Sequence, residues 1–369
     1  MSQSSVHIMF AGGGTGGHLF PGLAVAEQLR LAHPELRIAF AGSGKPWECE
    51  EVARLGHEYV MTPARPWLGP RWSAGKFVLD NALGYCAALR YLRRRRVATV
   101  IGLGGYASAP AARAAATCGI PLVLLEQNAL PGKVNRWLAP YASLICAAFA
   151  ESRSFLRSGG AFHLTGNPIR CVNPTTAPLT ERNKQIVVVG GSRGSKMLNQ
   201  NAAPAIAKTK LPAIGWEILH VAGEEGVAET QALYRSHGMT AAVRPFVDDL
   251  PKTISRARLV ICRAGGSTLA ELAAAGTPAV VCPFPQAADD HQRRNAASFA
   301  AAGACLVVDE QQPGGAFCEQ LAGAVNLLAN DLEQWSRCSA AMATLARPHA
   351  ARDIAELILE RLKGRRCAG

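Results

Sequence analysis

Residues 6–26 read VHIMFAGGGTGGHLFPGLAVA, and the order of the parts decides the fold. Val6 to Phe10 form a short, mostly apolar run of strand length. The glycines from Gly12 to Gly17 then let the backbone turn tightly and come close to a ligand. A helical pattern follows, with Pro21 expected in its first turn, where a missing amide costs little. The helix dipole points back at whatever the loop holds. Strand, glycine loop and helix in this order open a parallel α/β sheet.

The same rhythm continues outward. Strands are predicted at Arg37–Ala41, Glu58–Met61, Thr99–Ile101, Leu122–Leu125, Ser143–Cys146 and Phe162–Leu164. Two prolines, Pro174 and Pro178, interrupt it among polar or small neighbours, and residues 171–184 read as a linker. The opening arrangement then repeats, Gln185 to Val189 running into Gly190, Gly191 and Ser192. Further strands are expected at Glu217–Val221, Ala241–Val243, Leu259–Cys262, Ala279–Cys282 and Cys305–Val308. The fold class is therefore α/β, with two Rossmann-like domains, 1–170 and 185–345, facing each other across a cleft. Residues 346–369 form a last helical segment, a candidate to cross back to the first domain.

Composition narrows the partners. The 369 residues carry a formal charge of +12, which favours acidic ligands such as nucleic acid, anionic lipid or phosphorylated substrates. Eleven cysteines are scattered without CxxC spacing, which points to a reducing compartment and against a zinc site. The opening residues run straight into strand and glycine loop, without the basic and apolar pattern of a secretion signal. The most apolar stretch, Ala107 to Leu125, is broken by Arg113, Gly119 and Pro121, so membrane contact is expected to be peripheral.

Four loops carry the chemistry. Gly12, Gly14 and Gly17 satisfy the dinucleotide pattern GxGxxG, but the acid expected after strand two to bind a ribose is missing from Ala41-Gly42-Ser43-Gly44. A phosphate loop of the Walker type fails as well, because Pro46 follows Lys45. His18, where the first loop becomes helix, is either a packed histidine or a general base working near neutral pH. Gly102 to Tyr106 form a second loop. Gly190 to Ser195 form a third, which is either an ordinary βα turn or a diphosphate cradle. The fourth, Cys262 to Glu271, brings Gly266, Ser267 and Thr268 to a helix start. There Glu271 serves as a dipole partner in the first turn or as a ribose acceptor. No DxD string occurs, so no metal or other cofactor is expected.

These strings closely resemble the MurG-type transferases of peptidoglycan synthesis, a family of the GT-B fold. The resemblance rests on Gly13 to Ala26, Gly102 to Tyr106, Glu126-Gln127-Asn128 and Gly166 to Arg170. In the second half it rests on Gly190 to Gly194, Phe246 to Asp249, Cys262 to Pro278 and Pro283 to Asn295. It implies transfer of N-acetylglucosamine from UDP-GlcNAc to lipid I, the undecaprenyl-diphosphate-linked muramyl-pentapeptide, giving lipid II for the cell wall. It implies Thr15, His18 and Tyr106 on the acceptor side, with Gly13, Gly14 and Glu126; there His18 is the first choice of catalytic base, acting directly or through a water. Thr15, Gly16 and Gly17 also border the donor. Asn128 would hold its sugar, Arg170 and Ser192 its diphosphate, and Val247 the uracil through its backbone. Gly266, Ser267 and Glu271 would meet the ribose, and His291 and Gln292 the sugar hydroxyls.

Where the family usually has histidine, Leu125 and Gln286 stand here, Arg193 replaces a frequent glutamine, and Arg65 to Phe77 departs from the usual glycine-rich loop. These departures bear on acceptor contacts. The basic and aromatic stretch with Arg65, Trp67, Trp72 and Phe77, followed by Arg90 and Arg93 to Arg96, reads either as a solvated face or as an anchor on anionic lipid. The anchor implies a peripheral place on the cytoplasmic face of the bacterial inner membrane, with no nucleic-acid partner. Two alternatives stay open: a GT-B transferase acting on a soluble small molecule, and a non-catalytic nucleotide-binding protein.

Overall fold

Thirteen strands among the described residues pair only in parallel, in two separate sheets. The computed structural model describes residues 7–67, 74–169, 182–191, 194–311 and 316–366. The chain divides into two compact units, residues 1–170 with 349–369, and residues 171–348.

The first sheet comprises β1 (His7–Ala11), β2 (Arg37–Gly42), β3 (Glu58–Met61), β4 (Val97–Gly102), β5 (Leu122–Glu126), β6 (Ala142–Ala147) and β7 (Ala161–Leu164). Their order is β3-β2-β1-β4-β5-β6-β7. Helices on both faces bury the central strands on both sides, which is why they read as continuous apolar runs. Alternate residues of β1 serve opposite faces. Ile8 and Phe10 join one apolar cluster, and Met9 and Ala11 join the other.

The helices of this unit are α1 (Gly16–Ala32), α2 (Pro46–Arg54), α3 (Ala74–Arg95), α4 (Ala109–Thr117) and α5 (Lys133–Leu138). Because α1 starts at Gly16, Pro21 falls inside the helix and not in its first turn. Leu125 lies in the same cluster as Phe10, with 1% of its surface exposed. This departure from the family is thus a core substitution, and the expectation that it bears on acceptor contacts is corrected.

The second sheet comprises β8 (Asn183–Val189), β9 (Glu217–Val221), β10 (Ala242–Arg244), β11 (Ala257–Cys262), β12 (Ala279–Val281) and β13 (Cys305–Val307), in the order β10-β9-β8-β11-β12-β13. Its helices are α6 (Lys196–Ala207), α7 (Val227–Ser236), α8 (Leu250–Arg256), α9 (Gly266–Ala275), α10 (His291–Ala301), α11 (Phe317–Asn330) and α12 (Leu332–Thr344).

The expected linker is too long at its far end. β8 begins at Asn183, and Arg182 is already buried, its guanidinium donating to the carbonyls of Ala257 and Ala275 and to Thr277 Oγ1 at 2.6–3.2 Å. The rest of the linker lies outside the described residues. The last helix, α13 (Ala350–Arg366), belongs to the first unit. Its Ile354, Ala355 and Ile358 join the cluster that holds Ile8, Leu19 and Leu23. Cys146, Cys262, Cys282 and Cys305 are packed in the two cores, and burial pushes their thiols up. They behave as small apolar groups.

Candidate functional site

Both strand orders reverse direction once: β1 is flanked by β2 and β4, and β8 by β9 and β11. In open α/β sheets, ligands bind beyond the strand carboxyl ends at this switch point, where the outgoing loops diverge. The first and second glycine loops leave β1 and β4. The third and fourth leave β8 and β11. All four predicted loops therefore stand at switch points, two per unit.

In the first unit, Gly12, Gly13 and Gly14 have φ of +151°, +152° and +84°. A Cβ on Gly12 would lie 2.6 Å from Leu103 Cβ, and one on Gly14 would lie 3.1 Å from the Tyr106 ring, so side chains have no room here. Thr15 precedes α1, and its carbonyl accepts the amides of His18 and Leu19 at 3.2 Å. Thr15 Oγ1 stands 2.9 Å from His18 Nδ1. The half-buried imidazole lies over Gly104 and Gly105, with ring atoms 3.2–3.5 Å from where their Cβ atoms would be. The structure thus brings together Gly13, Gly14, Thr15, His18 and Tyr106, with Gly16 and Gly17 opening the helix beside them. If the threonine hydroxyl donates to Nδ1, Nε2 carries the ring proton; if it accepts, Nε2 can take one.

Glu126 has a different place from the one expected. It is 4% exposed, and its oxygens accept from the Asn128 amide, the Gly132 amide and the side chains of Asn128 and Asn135. Burial raises its carboxyl pKa, against the pull of those donors. Its contribution is the shape of the loop that presents half-buried Asn128. Asn135 lies beneath Gly104, its Nδ2 3.4 Å from the Cβ position there.

Sequence reasoning missed Glu48. It is wholly buried in the first turn of α2, where it accepts from the Gly14 amide and from Tyr59 Oη at 2.8 Å. The acid sought at the end of strand two is present six residues later, turned onto the glycine loop itself. Three acids in α2 gave no signal of which one is buried.

Arg170, at the end of the first unit, and Ser192 and Arg193, in the second, lie outside the described residues. The flanking loop is tightly built. Ser195 caps α6 by accepting from the Leu198 amide. A Cβ on Gly190 would lie 2.3 Å from Ser195 N. Arg263 ties three loops together, which sequence reasoning also missed: it is 8% exposed and donates to Ser195 Oγ at 3.0 Å, to the carbonyls of Cys282 and Pro283 at 3.1 Å, and to Glu310 at 2.7 Å.

Gly266 and Ser267 start α9, so half-buried Glu271 falls in its second turn, and the helix has no acid in its first. The dipole-partner alternative loses its basis, since that effect fades beyond the first turn. His291 opens α10, its Nδ1 2.8 Å from the Ala288 carbonyl, and Gln292 Oε1 accepts the Phe284 amide at 3.0 Å. Asp289 and Asp290 just before them hold left-handed φ of +53° and +56°. Half-buried Val247 follows the edge strand β10, beside exposed Phe246.

A separate surface belongs to α3. Trp67, Val78, Leu79 and Leu83 are 53–62% exposed, and Trp67 meets Phe77 edge to face at 5.3 Å. Arg93, Arg94 and Arg95 close the helix. Arg65 is held by Asp80 at 2.6 Å, and Trp72 lies outside the described residues. Among the described residues no helix is long and apolar enough to cross a membrane.

Two Rossmann-like units with glycine loops at both switch points define the GT-B class of fold. The glycosyltransferase family 28 N-terminal domain matches residues 8–146, and the glycosyltransferase family 28 C-terminal domain matches residues 185–358. The chain belongs to glycosyltransferase family 28. It is 37% identical to the UDP-N-acetylglucosamine–N-acetylmuramyl-(pentapeptide) pyrophosphoryl-undecaprenol N-acetylglucosamine transferase of Methylococcus capsulatus, over 96% of this chain and 98% of that one. The transferase of the same name from Xylella fastidiosa is 39% identical, over 98% and 99%. Among solved structures, Acinetobacter baumannii MurG superposes with a TM-score of 0.76 at 32% identity, covering 96% of this chain and 99% of its own. Staphylococcus aureus MnaA with UDP shares the fold at 13% identity, with a TM-score of 0.70.

Proposed function

We propose that this chain transfers N-acetylglucosamine from UDP-GlcNAc to the C4 hydroxyl of the muramyl sugar of lipid I, forming lipid II and UDP. The observation that carries this reading is the end-to-end likeness to transferases of that name, at 37–39% identity. The family matches at residues 8–146 and 185–358 take in all four glycine loops.

The reaction is a single displacement with inversion. The C4 oxygen attacks C1 of N-acetylglucosamine as the bond from C1 to the diphosphate oxygen breaks. His18 takes the hydroxyl proton on Nε2, with Thr15 orienting the ring through Nδ1. Charge gathering on the departing diphosphate is met by amides of the third loop, Ser192 and Arg170, which replace a metal. Glu271 accepts from the ribose hydroxyls, and the backbone at Val247 reads the uracil. Gly266 and Ser267 line the ribose, and Asn128, His291 and Gln292 hold the transferred sugar.

The acceptor is fixed in a bilayer by its polyprenyl chain, so the enzyme works as a peripheral protein on the cytoplasmic face of the inner membrane. The exposed apolar residues of α3 rest at the acyl boundary, and the arginines at its end meet anionic headgroups, at ~1 kcal/mol per charge near the surface.

The test is UDP release in the presence of a polyprenyl-diphosphate muramyl acceptor. Release that depends on this acceptor is the expected result. Equal release with a soluble sugar acceptor, or UDP-GlcNAc binding with no release under any condition, would overturn the reading.

A further inference from the structure

The turn Gly42-Ser43-Gly44-Lys45 and the helix behind it have no part in the transfer reading above, yet they grip its central loop. A buried carboxylate is costly unless both of its oxygens are met by donors. Glu48 meets that condition with the amide of Gly14 and the hydroxyls of Tyr59 and Ser43. Lys45 Nζ donates to the carbonyl of the same Gly14 at 2.8 Å. Both polar groups of Gly14 are therefore held by side chains three residues apart. The neighbouring Gly13 lies flat against the clamp, since a Cβ there would be 2.9 Å from the carboxyl carbon of Glu48.

The chain beyond Gly14 is stiff. Thr15 is the next residue, its carbonyl already accepts the first amides of α1, and its hydroxyl stands at His18 Nδ1. A shift of Gly14 is thus passed to the imidazole without a flexible joint between. We propose that Glu48 and Lys45 are positioning residues for the transfer: they lock Gly14, and through Thr15 they fix where the His18 ring stands. This rests on the reading of His18 as the base.

The chemistry of the clamp requires a carboxylate. Tyr59 Oη accepts the Gly44 amide at 2.8 Å, so its own hydrogen points at Glu48 Oε2. Glutamine has one acceptor oxygen where two are needed. In one orientation its NH2 faces the Tyr59 hydrogen, and in the other it faces the Gly14 N–H.

Glu48→Gln is therefore a nearly isosteric test. It is expected to lower kcat on the order of 10²-fold, the usual consequence of misplacing a catalytic group by ~1 Å. UDP binding, measured by titration calorimetry on the full chain, is expected to stay unchanged. In a His18→Gln background the same change is expected to cost less than about twofold, because no base remains to be misplaced.

Lys45→Met frees the Gly14 carbonyl and removes the ammonium that stands 6.0 Å from the Tyr106 ring centroid, and it is expected to lower kcat about tenfold with the same unchanged UDP binding. It serves as the test if Glu48→Gln does not fold. Wild-type kcat in a folded Glu48→Gln or Lys45→Met enzyme would overturn the proposal. So would a Glu48→Gln effect of equal size with and without His18, since that marks a general structural role. Failure of the base assignment is read in a different enzyme, as wild-type kcat in His18→Gln alone.

Discussion

Gly191 and Gly194 stand three residues apart in the loop between β8 and α6, with φ of +94° and +73°. Alanine at either position costs about 1–2 kcal/mol for a left-handed backbone. Beyond that the two positions differ. Among the described residues nothing lies within 4 Å of the Cβ position on Gly191, whereas on Gly194 it falls 2.0 Å from the Ala222 carbonyl oxygen. That oxygen must retreat by about 1 Å or more to reach even a tight contact, in an interior with little free volume. It is not free to do so: Asn199 Nδ2 donates to it at 2.9 Å, and Asn199 is itself held by buried His220.

Gly191→Ala should therefore destabilise the second unit by about 1–2 kcal/mol, the backbone strain alone. Gly194→Ala should cost about 3–5 kcal/mol, adding overpacking and a strained hydrogen bond. Urea unfolding with and without UDP separates the units, because a ligand shifts only the transition of the unit that binds it. Equal losses at the two glycines, or a larger loss at Gly191, would refute the argument from local crowding.

His18→Gln should lower kcat by roughly 10²–10⁴ with UDP-GlcNAc affinity unchanged, measured by steady-state rates and calorimetry. Glu271→Ala should weaken UDP-GlcNAc binding by about 1–3 kcal/mol, and the mutant should penalise a deoxyribose donor less than wild type does. Burial holds His220 at about 3, while the unfolded chain titrates near 6.5, so between these values only the unfolded state binds the proton. Stability from this site is full above pH 6.5 and falls by about 1.4 kcal/mol per pH step below it, roughly 2 kcal/mol by pH 5. Urea midpoints of the UDP-shifted transition check this, and His220→Gln should flatten the slope. Sedimentation with anionic vesicles should be strong at low salt and weak at 1 M, where the Debye length is ~3 Å. Trp67→Ser with Leu79→Ser should leave only the salt-sensitive part.

The central strands were legible because a parallel sheet covered on both faces writes itself as apolar runs, Val187 to Val189 and Leu122 to Leu125 among them. The switch-point loops were legible because only glycine tolerates their backbone. The buried charges were not. Glu48, Arg182 and Arg263 look like surface residues in sequence, and each is neutralised or satisfied by groups distant along the chain. Arg263 depends on Ser195, Cys282, Pro283 and Glu310. No local pattern encodes such a set of partners. Glu126 was found by resemblance, but its inward role depends on Asn135 and Gly132, which only the folded loop brings to it.

The first unit is assembled from both ends of the chain, since α13 supplies Ile354 and Ile358 to the cluster around Phe10. On the ribosome, this unit cannot finish its core when its own strands are complete. Residues 171–348 must be synthesised first, a delay of roughly ten to forty seconds at 5–20 residues per second. Until α13 is made, the apolar residues of α1 that it packs against lack that partner, and the second unit, whose last helix ends at Thr344, is complete just before α13 begins. The usual order of vectorial folding is thereby reversed: the domain made first is completed last.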